Sequence, residues 1–342
     1  MKSVMMFLVT TLSAASLFAQ SPSPTMKAIV LHQYGGPEVL KYEDAPRPEP
    51  KEDEILIRVM AASVNPVDVA IRSGKYANYF HTKLPLIPGM DAAGIVEKAG
   101  DKITRSKKGD QVYAFFTLVG EGGYAEFVVA KENEVSAKPK SLTYEEAAAV
   151  PAVGSTAWQA LIDTAKLEAG QTVLIHGGSG GVGHCAIQIA KARGARVIAT
   201  ASTANQEFLK KLGADQAIDY TKTKFEDVVK DVDVVLDAVG GDTLTRSYGV
   251  VKKGGIIVSI ADEPDEAVLK QGGIRGASIS AEPKANVLEE LAKLIEAKKL
   301  KLVVSKTFPL IEVAKAQEAI ATRHTRGKIV LKVAEESKTT NE

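Results

Sequence analysis

From Met26 the chain runs in short, β-rich apolar stretches, such as Lys27 to Leu31, Ile55 to Val64 and Gly94 to Lys98. Gly and Pro punctuate them, and almost no helical periodicity is seen before about Ser141. That pattern predicts a compact β-rich domain. After Leu142 it changes. Thr143 followed by Glu145 and Glu146 is a capping-type helix start, and Ser155 to Ala165 follows as helix. A strand (Thr172 to His176), a helix (Gly181 to Arg193) and a strand (Arg196 to Ala201) come next. The alternation continues through a helix at Glu207 to Leu212, a strand at Ala217 to Asp219, and the apolar runs Val232 to Val239 and Ile256 to Ile260. Alternation of this kind predicts a parallel sheet wrapped by helices, and strands near-continuous in apolar residues are what burial on both faces requires. Ile274 to Ser280 reads as a sixth strand and Val287 to Ala297 as an amphipathic helix, before a last β-rich segment near Phe308 and Gly327 to Val333.

Composition narrows the class. The 342 residues are enough for about two domains. An apolar content of 45% with 25% charged residues is that of a folded, soluble body. The net charge of +1 comes without any Lys/Arg block, so nucleic acid and acidic membrane surfaces have no electrostatic argument. With Cys185 as the single cysteine, an intrachain disulfide and any multi-cysteine zinc site are excluded.

The first twenty-five residues read differently from the body. Lys2, the apolar run Val4 to Ala15 and the turn-rich Gln20 to Pro24 have the layout of a secretory signal, too short for a comfortable membrane span. A mis-set start is the other reading, because Met26-Lys27-Ala28-Ile29-Val30 makes a natural beginning of a strand. Location therefore reads two ways: the N-terminus points to the periplasm or secretion, and a chain without cysteine pairs fits the reducing cytoplasm. The mature body shows no membrane span.

Strand Thr172 to His176 leads directly into Gly177-Gly178-Ser179-Gly180-Gly181-Val182-Gly183 and then a helix, with Gly178, Gly180 and Gly183 at G-x-G-x-x-G spacing. One glycine permits the tight turn, the next lets backbone approach a pyrophosphate, and the third lets helix and strand pack, while the helix N-terminus offers free N–H groups. The strand before, the helix after and a second strand from Arg196 are the context that makes this a dinucleotide site. That second strand ends on Ser202, where an NAD site would carry an acid for the ribose 2′-hydroxyl. The missing carboxylate favours NADP(H). Lys210 and Lys211 nearby are either further attraction for a 2′-phosphate or a solvated helix face.

Five stretches carry a resemblance: Asn65-Pro66-Val67-Asp68 with Ile71-Arg72-Ser73-Gly74, Pro88-Gly89-Met90-Asp91-Ala92-Ala93-Gly94, Gly122-Gly123-Tyr124-Ala125-Glu126, Thr156-Ala157-Trp158-Gln159-Ala160-Leu161, and Gly327-Lys328-Ile329-Val330-Leu331. As a set they resemble the medium-chain dehydrogenase/reductase superfamily, and more narrowly its zinc-independent quinone oxidoreductase, zeta-crystallin-like branch, over essentially Met26 to Val333. The resemblance implies an α/β chain made of a GroES-like β-barrel catalytic domain and a Rossmann doubly wound parallel-sheet domain. Its expected division is a signal-like segment at 1–25, the first part of the catalytic domain at 26–151, the NADP-binding domain at 152–284, a return to the catalytic domain at 285–334 and a polar tail at 335–342.

Where zinc members of the superfamily carry a cysteine and a Gly-His-Glu motif, this chain has Asn65 to Asp68 and Gly89-Met90-Asp91, so the expected zinc ligands are absent. Asp68 and Asp91 read as loop or buried structural carboxylates rather than ligands. Without a Lewis acid the balance tilts from alcohol oxidation toward reduction of an electron-poor acceptor. For a quinone or an α,β-unsaturated carbonyl, direct hydride transfer needs mainly orientation, an apolar slot and a hydrogen-bond donor for the oxygen.

The resemblance places Asn65 near nicotinamide and substrate, with an Asn ending a strand on its own backbone as the alternative. Tyr76 lines the cleft or is a surface aromatic. Ser179, Gly180, Gly181 and Val182 match the pyrophosphate contacts, Ser202 and Tyr220 the adenosine phosphate end, and Val239 and Ile260 the length of the cofactor. Thr156 and Lys328 match further contacts. Ala70 stands where relatives can carry a tyrosine, a departure in the substrate region. Cys185, at helical spacing with Val182 and Ile189, reads as buried packing, and Trp158 as core or interface. The expected activity is NADPH-dependent reduction of quinones or enones. An enoyl-thioester or aldehyde reductase, or a non-catalytic NADPH-binding protein, is the alternative, and a homodimer joined through the edge strand near Ile274 to Ser280 is implied.

Overall fold

The computed structural model describes residues 24–79, 81–117 and 122–335. The signal-like reading of the N-terminus, up to residue 23, and the polar tail beyond Glu335 lie outside these residues. Strands β1 (Thr25–Leu31) and β2 (Leu40–Pro46) form an antiparallel pair. They are followed by β3 (Glu54–Val64), β4 (Asp91–Ala99), β5 (Gln111–Phe115), β6 (Phe127–Lys131) and β7 (Val135–Ala137). At 11 residues, β3 is the spine of this half: it pairs antiparallel with β4 on one side and takes β6 along its first residues. Eight of its residues from Ile55 to Val64 are buried apolar side chains or alanines on both faces, which is why it reads as a nearly continuous apolar run instead of an alternating one.

The second half is an all-parallel, six-stranded sheet made of β8 (Thr172–Ile175), β9 (Arg196–Ala201), β10 (Gln216–Asp219), β11 (Val232–Asp237), β12 (Val251–Ser259) and β13 (Arg275–Ser278). The order is β10-β9-β8-β11-β12-β13. The winding reverses between β8 and β11, and in such sheets the ligand crevice lies outside the carboxyl ends of the strands at that point. The last strands return to the first half. In β14 (Val304–Pro309) and β15 (Lys328–Lys332), β15 pairs antiparallel with β3, completing a seven-stranded sheet.

Three short helices flank the junction of the halves. Helix α1 (Pro66–Arg72) follows β3, and α2 (Tyr144–Ala148) and α3 (Pro151–Trp158) cross toward the parallel sheet. One continuous buried cluster runs from Met60 and Tyr113 through Ala147, Val153 and Leu161 to Ile187, Leu291 and Val330, so the two sheets share a core. The Tyr113 hydroxyl donates to the Leu288 carbonyl at 2.5 Å across this junction.

Three readings of the pattern needed correction. Helix α1 lies where no helical periodicity is visible: it has only seven residues, and what starts it is local chemistry, with Pro66 at its first position and the Asp68 carboxylate accepting the Asn65 N–H at 2.8 Å. The helix expected over Ser155 to Ala165 begins earlier, at Pro151, and changes to π-helical turns over Gln159–Thr164. The edge strand is shorter than Ile274 to Ser280, covering Arg275–Ser278.

Candidate active site

At the carboxyl end of β8 the chain turns through Gly177 into α4 (Gly181–Ala192), with Gly180 as the N-cap. The first N–H groups of such a helix have no intrahelical acceptor, so Ser179, Gly180, Gly181 and Val182 surround a ready anion seat. Gly183 is required by geometry: a Cβ there would overlap the carbonyl of Gly177 and the backbone of Gly178, so only glycine lets the helix fold this tightly onto the turn. The Gly327 N–H donates to the Ser179 carbonyl at 2.9 Å, which clamps the start of β15 to the glycine loop. A Cβ on Gly181 would meet Lys328 Cδ at 3.2 Å. The two halves of the molecule therefore meet at Lys328.

Lys328 is fully buried. Strand β15 pairs with β3 so that Ile329 faces Val64, which sets Lys328 opposite Asn65 one step further along the same ladder. On the other side of β3, Ser63 faces Asp91 of β4. Since Ser63 and Asn65 are two residues apart on one strand, all four side chains fall on one face of the sheet. The Lys328 ammonium donates to Asn65 Oδ1 at 2.5 Å and to the Val64 carbonyl at 3.2 Å, and stands 3.8 Å from Asp91. Asn65 Nδ2 donates to Asp91 Oδ2 at 2.8 Å. Asp91 also accepts from Ser63 Oγ at 2.5 Å and, through Oδ1, from the Ala152 N–H at the start of α3 at 2.7 Å. That last bond satisfies a helix N-terminus that has no side-chain cap of its own.

Asp68 lies beside this cluster, accepting from the Tyr124 hydroxyl at 2.7 Å and the Asn65 N–H at 2.8 Å, with its other oxygen unpartnered. Burial pushes its carboxyl up to about 7, against the opposing pull of the Tyr124 and Asn65 hydrogen bonds. Burial also raises Asp91, opposed first by Lys328, and lowers Lys328, opposed first by Asp91. Asn65 thus uses its side chain across strands, and not on its own backbone as an isolated strand-ending Asn would.

The remaining positions follow the carboxyl ends of the parallel strands. Val239, after β11, is 48% exposed, and its N–H is held by Asp237 Oδ1 at 3.0 Å. Ile260, after β12, donates its N–H to the Asp237 carbonyl at 2.9 Å. Asp237 also accepts from Gly240 and from Ser259 Oγ, so one buried carboxylate fixes both loops. Ser202 directly follows β9, with its Oγ accepting from Asn205 Nδ2 at 3.3 Å. Tyr220, following β10, is 57% exposed. Arg326 reaches this end from the returning segment, donating to Asn205 Oδ1 at 2.8 Å and the Ala204 carbonyl at 2.9 Å. Lys210 pairs with Glu207 at 2.8 Å, a solvated helix face.

Two expected residues stand apart. Thr156, on α3, returns its hydroxyl to the Ala152 carbonyl at 2.7 Å, and Tyr76 lies in the turn after α1, its ring 6.2 Å from that of Tyr79. Cys185 is buried, its thiol pushed up to about 12 by burial, as inert packing requires. His176 is occupied by Thr200 and Ser247, and His184 by the Gly180 carbonyl. Sequence reasoning missed Ser63, Tyr124, Asp237, Ser259 and Arg326 as contributors. Tyr124 sits inside a quoted motif, but the others carry no local signal, because their roles depend on strands adjacent only in space.

Residues 51–140 match the alcohol dehydrogenase GroES-like domain, and residues 212–331 a domain described as zinc-binding dehydrogenase. The chain belongs to the medium-chain dehydrogenase/reductase superfamily. Within it, the chain falls in the zeta-crystallin-like quinone oxidoreductase branch. It is 39% identical over 331 residues to the chloroplastic NADPH-dependent alkenal/one oxidoreductase of Arabidopsis thaliana, covering 93% of this chain and 83% of that one. To the human quinone oxidoreductase it is 34% identical over 312 residues, 86% and 94% of the two chains. Among solved structures, the quinone oxidoreductase from Coxiella burnetii matches with a TM-score of 0.85 and 39% identity, over 91% of this chain and all of that one.

The zinc in the matched domain's description does not fit the residues here. Asp91 is engaged by Ser63, Asn65 and the Ala152 N–H, and Asp68 by Tyr124 and Asn65. The neighbouring side chain is Met90, and among the described residues no group of three or more His, Cys, Asp or Glu is placed to hold a metal ion. A dinucleotide does fit, because the Gly183 contact and the open helix N-terminus are the features its pyrophosphate needs.

Proposed function

We propose that this chain is an NADPH-dependent oxidoreductase that reduces quinones or α,β-unsaturated carbonyls by direct hydride transfer, without zinc. The observation that carries this reading is the junction at Lys328: the residue that anchors Asn65 also packs against the helix start that would hold the pyrophosphate. NADPH, when bound, supplies a hydride. The glycine loop and α4 hold its phosphates. The loops fixed by Asp237 present Val239 and Ile260 along its length, and Ser202 receives the 2′-phosphate without an acid to repel it. Asn65 presents an N–H to the acceptor's oxygen, where negative charge gathers as hydride adds to the conjugated carbon, and a proton from solvent completes the reduction. Tyr220 is a proposed contact at the adenosine phosphate end, and Tyr76 and Thr156, although they stand apart from the Asn65 cluster, are proposed further contacts. The names of the similar proteins, a quinone oxidoreductase and an alkenal/one oxidoreductase, support this acceptor class.

In this reading 26–151 and 285–334 form the catalytic part and 152–284 the nucleotide-binding part. Two copies pair through β13, the terminal strand of the parallel sheet. The test is absorbance-monitored NADPH oxidation with EDTA present, against NADH and a panel of benzoquinones, naphthoquinones and enones. Turnover favouring NADPH supports the reading, and NADPH binding without turnover on any acceptor overturns it.

A further inference from the structure

The Asn65 carboxamide has a defined orientation for an electrostatic reason. Its oxygen accepts from the Lys328 ammonium at 2.5 Å, and its nitrogen donates to the Asp91 carboxylate at 2.8 Å. Turned over, the amide would set its N–H groups against an ammonium, which can only donate, and its oxygen against an ionised carboxylate, which can only accept. Both contacts would be lost and replaced by repulsion. The cation and the anion therefore select the same orientation from opposite ends. Both are themselves held: Asp91 by Ser63 Oγ and the Ala152 N–H, Lys328 by the Val64 carbonyl. Lys328 holds Oδ1 and Asp91 one Nδ2 hydrogen, and the second Nδ2–H remains as a donor of fixed direction.

We propose that Lys328 and Asp91 are positioning residues that hold Asn65 as a hydrogen-bond donor, so that this site presents an N–H to an oxygen acceptor on its substrate, such as a carbonyl or quinone oxygen. The inference rests on the functional reading above and deepens it. It also gives Lys328 a different role from cofactor contact, because its ammonium is turned to Asn65 and Asp91 and only its stem faces the glycine loop.

Lys328→Met alone leaves a buried carboxylate without its cation, so the decisive variant is Lys328→Met with Asp91→Asn, which removes both charges together. NADPH affinity is read by fluorescence titration, kcat and KM with a quinone and an enone, and folding by thermal melting. The expected result for a folded double variant is a kcat lowered ten- to a hundredfold with the NADPH Kd within twofold of wild type. An unchanged kcat in a folded double variant overturns the proposal. So does a tenfold weaker NADPH Kd with kcat at saturation preserved, which would make Lys328 a cofactor ligand. A readout independent of turnover comes from the Asn65 side-chain amide in spectra of full-length protein labelled with 15N-asparagine, assigned by its loss in Asn65→Ala. Its signals should move and broaden in the double variant, or, if they stay, the orientation does not depend on the two charges and the proposal fails. Should wild type bind NADPH yet reduce none of the acceptors, the functional reading falls, while the amide spectrum still decides the orientation.

Discussion

Lys328 and Asn65, 263 residues apart in the chain, face each other across the end of the β3–β15 ladder and join side chains at 2.5 Å. That contact ties the returning C-terminal segment to the strand end that carries the candidate catalytic amide, and the clamp between Gly327 and Ser179 carries it on to the glycine loop. The Asn65 cluster and the glycine loop are thus registered by one short strand.

Asn65→Ala removes the proposed oxyanion donor and leaves the glycine loop untouched. The expected effect is a fall in kcat of about a hundredfold, in line with loss of one such donor, with NADPH affinity unchanged. Steady-state kinetics beside a cofactor titration checks this. A variant that retains wild-type kcat would remove Asn65 from the reaction.

Gly183→Ala forces a methyl group into the Gly177 carbonyl. The turn must open, so NADPH binding should weaken at least tenfold and the melting temperature should drop. Calorimetry of cofactor binding and thermal melting measure the two effects, and wild-type values for both would show that the close approach is unimportant.

Ser202→Asp restores the acid that a 2′-hydroxyl prefers and a 2′-phosphate avoids. The Kd for NADPH should rise about tenfold or more while that for NADH falls or stays level. Equal weakening of both cofactors would place the 2′-phosphate elsewhere.

Stability should respond to pH through two opposed sets of buried groups. Burial raises the Asp68 carboxyl from 3.8 to about 7, so its protonated form favours the folded state. Its contribution is full below about pH 4 and is lost as pH rises through about 7. Burial lowers His176 and His184 from 6.5 to about 4, so their contribution is present above pH 6.5 and is lost as pH falls through about 4. Asp68→Asn removes the first trend. Urea midpoints of the variant should therefore climb more steeply than those of wild type between pH 4 and 7, and an equal or shallower climb would show that Asp68 does not titrate in this window.

Much of the architecture is legible in the order of residues, because burial on both faces of a parallel sheet demands apolar strands such as Val173 to Ile175 and Val234 to Leu236. The glycine spacing likewise answers to a turn only glycine can make. The helix after Asn65 was not legible by periodicity. Seven residues give too few turns for a repeat to show, and its start depends on Asp68 reaching back to an N–H.

What the sequence by itself determined is the class of machine: the two kinds of sheet, the phosphate loop, the missing acid at Ser202 and the absence of the expected zinc ligands. Only the tertiary structure decided what Asn65 can do. Its partners, Asp91 and Lys328, lie 26 and 263 residues away, and nothing in the local sequence says which charges will face a side chain. That follows from strand register, which places Ser63, Asn65, Asp91 and Lys328 on one face of one sheet, where low polarity makes an ammonium and a carboxylate strong enough to orient a neutral amide.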